Sequence, residues 1–192
     1  MLTTENYLKE VIPCRMKAID ILRIALGYHA SFESPKKLEL YLDGMQSVQG
    51  LSTAWTNPAI ESGIMHCRAC LEFLGLKADP KNPDSLKCRS SKLSDDMGIE
   101  DFDLPLIKVE EALNPYAGPK EEAEKALATV IITANKGIAH TTLFRMVDAE
   151  DLRLLEIAAR GVPTLMANHL YIPLGLSIPD YKIAGNIREK SA

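Results

Sequence analysis

An all-α bundle of about five helices is the fold class this sequence predicts, and three observations predict it. Apolar residues recur at i, i+3, i+4 and i+7 through most of the chain. Runs of β-branched residues long enough to alternate as strands are few. Proline and glycine fall where helix starts and stops need them. With 192 residues and 46% hydrophobic content, the chain is long enough to bury one sizeable core, and residues 1–192 are expected to form a single helical-bundle domain.

The elements follow in order. After a short N-terminal turn, Pro13 either begins a long helix through CRMKAIDILRIALGYHASF or kinks one that starts near Thr4, because proline lacks a donor and clashes with the preceding turn. Met16, Ile19, Leu22 and Leu26 share one face of that helix. Ser34 and Pro35 read as an N-cap with proline at N1, opening a second helix through KKLELYLDGMQSVQG. Asn57 and Pro58 repeat the signal for a third, AIESGIMHCRACLEFL, which Gly75 ends. Residues 76–104 concentrate proline, serine and aspartate with little periodicity and are expected as a long irregular excursion. A short helix is expected over Leu106 to Leu113. Pro119, with Glu121 and Glu122 in the first turn, opens EEAEKALATVIITANKGIA. The last helix opens near Asp148 and runs to Tyr171, with Gly161 and Pro163 expected to bend or interrupt it.

Net charge −4 supplies no global attraction to polyanions, so a nucleic-acid partner requires a local basic patch. The N-terminal residues lack the basic start and apolar run of a signal peptide, and no apolar stretch approaches the roughly 18 residues needed to span a bilayer. A cytoplasmic location away from membranes is the expectation. Cys14, Cys67, Cys70 and Cys88 read as reduced thiols rather than a disulfide framework.

Three groups of residues invite chemistry. Cys67 and Cys70 form a CxxC, but it falls mid-helix without a second pair, so core packing is expected and no metal site or cofactor. Arg68 and Glu72 are one helical turn apart; they form an exposed ion pair or flank a polar cleft. In TANKGIAHTT, residues 133–142, Lys136 and His140 are four apart, and Asn135 stands one step beyond an apolar face. Small neighbours there allow a ligand to approach, whereas a histidine near a helix C-terminus also serves as a cap.

RACLEFL on one helix and ANKGIAHTT at the end of a later one resemble small bacterial all-α proteins of the HEPN superfamily. The resemblance covers about 58–75 and 128–142. It implies a four- or five-helix bundle that forms homodimers, with an arginine-to-histidine motif that cuts RNA without metal in active members, while others bind nucleotides. His140 matches the motif histidine, and Asn135 stands where the arginine falls, so the motif is degenerate. The expectation is a binding or partner-interaction protein with a nucleotide or RNA site formed by Arg68, Glu72, Asn135 and Lys136. One alternative is a metal-independent ribonuclease using His140 as proton-transfer catalyst, with Lys136 and Arg68 on phosphate. The other is a structural homo-oligomer subunit; an unidentified protein partner is compatible with the first reading.

Overall fold

The computed structural model describes residues 3–138 and 149–183. Four long helices carry the core: α2 (Ile12–Ser31), α3 (Thr53–Phe73), α5 (Lys120–Ile132) and α6 (Ala149–Met166). α2 packs along α3, α5 along α6, and α6 closes against both α2 and α3. Ile19, Leu22, Ile64, Leu71, Ile131 and Leu155 are completely or almost completely buried where these helices meet. Gly63 sets the closest approach, since a Cβ there would lie 2.3 Å from that of Leu22. Among the described residues no helix is long and apolar enough to cross a membrane.

The chain is not all-α. Two two-stranded antiparallel sheets are present, β1 (Lys37–Leu42) with β2 (Met45–Leu51) and β3 (Leu76–Ala78) with β4 (Leu86–Cys88). The first replaces the helix expected from Ser34 and Pro35. Its turn is Asp43-Gly44, with φ of 50° and 78°, the paired left-handed conformation of a tight hairpin turn that Asp-Gly favours. Leu38, Leu40 and Leu42 then alternate with Lys37, Glu39 and Tyr41, a period of two that outcompetes the helical spacing of the same leucines. The second sheet corrects the irregular excursion at 76–104, which is built and bonded. Leu86 pairs with Ala78 and donates its N–H to Glu124 of α5 at 2.8 Å, and a short 3-10 turn follows at Ile99–Phe102.

The remaining boundaries also shift. The first helical segment begins at α1 (Thr4–Asn6), with Thr3 as N-cap, and reaches α2 through a wide π turn at Tyr7–Val11. That turn directly precedes Pro13, the residue whose missing N–H and ring an ordinary turn accommodates poorly. α3 starts at Thr53, where the Ser52 carbonyl accepts from Trp55 and Thr56, so Pro58 lies inside the helix rather than opening it. Gly75 ends α3 as expected, with φ of 95°. The short helix expected from Leu106 is α4 (Val109–Leu113). α6 runs through Gly161 and Pro163 without a break and opens into a π turn only at Ala167–Tyr171. Two long-range bonds tie the ends together: Tyr171 Oη donates to the Leu8 carbonyl at 2.9 Å, and buried Asp20 accepts from the Ile183 N–H at 2.8 Å.

Candidate functional site

Of the residues singled out in sequence, Arg68 and Glu72 line a common cleft. One turn apart on α3, they are ion-paired at 2.8 Å, and both are partly exposed. A pair of this kind contributes only a few tenths of a kcal/mol. Among the described residues, none of 133–138 lines that cleft. Asn135 and Lys136 sit in a π turn (Thr133–Ile138) that follows α5, half-buried and exposed respectively, and His140 lies outside the described residues. α5 begins beside β3 and β4, at the C-terminal end of α3. The Thr133–Ile138 turn itself packs against α3.

What faces Arg68 is the segment after β4. A cleft of about 450 Å³ opens between α2, α3 and residues 89–97. Five cationic side chains line it, namely Arg15 from α2, Arg68 from α3, Lys77 from β3, and Arg89 and Lys92 from the segment beyond β4, against the two acids Glu72 and Asp96. Tyr7 and Phe73 form an apolar wall, their rings stacked 5.7 Å apart. Arg15, Lys77, Arg89 and Lys92 had no signal in sequence because they come from three separate segments.

The cleft's rim is fixed by ion pairs. Arg89 Nη2 contacts both Glu100 oxygens, at 2.6 and 2.5 Å, while its Nε donates to the Glu72 carbonyl at 3.2 Å. Burial works to raise the Glu100 carboxyl, but the Arg89 bonds outweigh it and hold the group below its ordinary value. Lys92 pairs with Asp101, whose carboxyl is held low first by the Gly98 N–H and then by that lysine. These bonds pin residues 89–101 over the end of α3 and leave Arg15 and Lys77 without a carboxylate partner among the described residues.

Arg15 is the distinctive member. Its Nε is buried without a hydrogen-bond partner, and His66 Nδ1 shares that condition. The two are electrostatically linked: burial lowers the His66 imidazole below its ordinary value, and the Arg15 charge lowers it further. Burial raises the Tyr7 phenol against the opposing pull of Arg15, and pushes Cys70 up to about 12, again with Arg15 opposing. Cys67 and Cys70 are wholly buried, and burial drives the Cys67 thiol well up as well. The CxxC is therefore packed core, one helical turn from His66, with both sulfurs held as thiols. Buried polar atoms nearly always find partners; the Arg15 Nε, with almost no accessible surface, is an exception to that rule and not a donor open to the cleft.

No family model, curated protein or solved structure matches the chain. The geometry of the cleft is what bears on function.

Proposed function

We propose that this protein binds a nucleotide-sized, phosphate-bearing ligand in the cleft between α2, α3 and residues 89–97. The observation that carries the reading is the composition of the cleft, which gathers Arg15, Arg68, Lys77, Arg89 and Lys92 against two acids. Arginine presents planar donors matched to phosphate oxygens. Lys77 adds a second charge without an internal carboxylate, and Arg68 and Arg89 stand already oriented by Glu72 and Glu100. Size selects among phosphates: about 450 Å³ suits a single nucleotide, while a net charge of −4 gives a long RNA no field to follow. The Tyr7–Phe73 wall offers apolar surface to the ligand's uncharged part. The reading accords with the nucleotide-binding side of the HEPN resemblance. It does not extend to cleavage, because Asn135 brings no positive charge to the motif's arginine position.

Titration calorimetry with ADP, inorganic phosphate and a short single-stranded RNA tests it. Saturable binding of ADP is expected, weakening as salt rises, and reduced at least about tenfold by Arg15→Gln and by Lys77→Ala. Absence of binding at millimolar ADP, or RNA binding that ignores both substitutions, overturns it.

A further inference from the structure

The α2–α3 cleft is cationic, yet two acids line it, and the two differ. Glu72 is answered by Arg68, one turn away on α3, at 2.8 Å. Asp96 has no cationic partner among the described residues. Its Oδ2 accepts the Leu93 N–H at 3.3 Å and its own N–H donates to the Leu93 carbonyl at 3.2 Å, so a turn sets the carboxylate in place. An ionised carboxylate has about four acceptor sites and no donor, and one backbone N–H leaves most of that capacity open. Toward a ligand's phosphates such a charge is repulsive. Toward a part of the ligand that presents donors it is attractive.

The same turn brings apolar surface beside the acid. Leu93 and Met97 line the cleft from the Asp96 segment, and Tyr7 and Phe73 line it from the helical side. Leu93 is 69% exposed and Tyr7 half-buried, so this surface is open to a ligand rather than spent on the core. Asp96 lies within electrostatic reach of Tyr7: burial raises the phenol most, and the Asp96 charge adds to the rise. An aromatic face and an unpaired acceptor therefore stand together at one part of a phosphate-sized cationic cleft.

We infer that Asp96 reads the base of the bound nucleotide and selects guanine, the base lying against Tyr7 and Leu93. This rests on the nucleotide reading of the cleft and adds to it the identity of the base. Guanine carries two adjacent donors on its Watson–Crick edge, N1–H and the N2 amine, and a carboxylate accepts both at once. Adenine and cytosine each set a ring-nitrogen acceptor beside a single amine, and uracil has one N–H between two carbonyls; each turns a lone pair toward the acid. A ribose diol also donates to carboxylates, but an aromatic neighbour favours the base, which has a flat face to stack on it. Duties then divide: the cations hold phosphate whatever the base, and Asp96 discriminates.

Titration calorimetry on the full chain with GDP, ADP, IDP and XDP tests it. Hypoxanthine, in IDP, lacks the N2 amine, and xanthine, in XDP, has a carbonyl in its place. GDP should bind at least about tenfold more tightly than ADP, with IDP between them. Asp96→Asn, at an exposed position, can still accept the Leu93 N–H while exchanging one carboxylate oxygen for an amine donor. It should weaken GDP to the level of ADP and tighten XDP at least about tenfold, because the new amine meets the xanthine carbonyl. A residue that only holds its turn gives no such reversal. Equal affinities for GDP and ADP in the parent protein overturn the inference and leave the phosphate reading standing. So does an Asp96→Asn protein that weakens ADP and GDP alike, which assigns the carboxylate to ribose or to the turn. Failure of all four nucleotides to bind overturns both readings.

Discussion

Cysteine chemistry here divides by burial. Cys67 and Cys70 face the core and their burial raises both thiols, whereas Cys14 and Cys88 are exposed. The thiolate is the reactive form, so Ellman's reagent should react promptly with Cys14 and Cys88 and reach the other pair only on denaturation. Rapid native modification of Cys67 or Cys70 would show that α3 opens far more readily than its packing implies. This outcome was readable in advance, since a CxxC in mid-helix without further ligands is most simply packing. The Arg68–Glu72 pair was legible for the same reason: helical spacing makes i, i+4 neighbours touch. Arg15, Lys77, Arg89 and Lys92 were not, because no local period links residues that meet only after β3 and β4 fold the chain back over α3.

Elements obey the same division. The four long helices were legible because each repeats apolar residues at helical spacing, although α6 runs through the Gly161 and Pro163 expected to interrupt it. The hairpin was missed because leucines at 38, 40 and 42 fit i, i+4 as well as i, i+2, and the decision rested on Asp43-Gly44, where the backbone needs two positive φ values. The tightest joint between elements is the α2–α3 crossing at Gly63. A Cβ there meets Leu22 Cβ at 2.3 Å and the Ala18 carbonyl at 3.1 Å, and neither can rotate aside. Gly63→Ala should therefore lower stability by about 1–3 kcal/mol in urea denaturation, despite alanine's better helix propensity. Unchanged or increased stability would mean the two helices can separate at that point without loss.

At the scale of the whole molecule, acid stability reports on how the imidazoles are enclosed. Burial holds His66 and His169 below the ordinary 6.5; Arg15 assists at His66, and Glu111 opposes at His169. The unfolded chain therefore takes up protons first as pH falls. Stability is complete above about 6.5, declines as pH drops through that value, and stops declining from this cause below the folded-state values. The urea midpoint should fall between pH 7 and 5.5, and fall less in the His66→Gln, His169→Gln double variant. Equal slopes in the two proteins would place the acid sensitivity elsewhere. A basic cleft in an acidic chain is likewise a property of the whole: its charges are assembled by the fold, and the average composition conceals them.

The π turns at Tyr7–Val11 and Ala167–Tyr171 carry a further consequence. Each holds one residue more than an α turn needs, so it acts as a phase shifter: the side chains before it are rotated by about 100° relative to those after it. The Tyr171 hydroxyl bonds to the Leu8 carbonyl, so the two offsets meet, one from each end of the chain. Deleting a single residue from either turn would restore regular winding locally while swinging that end out of phase with the other. The chain ends are thus matched in angular register, and a one-residue length change is tolerable in one only when the other compensates.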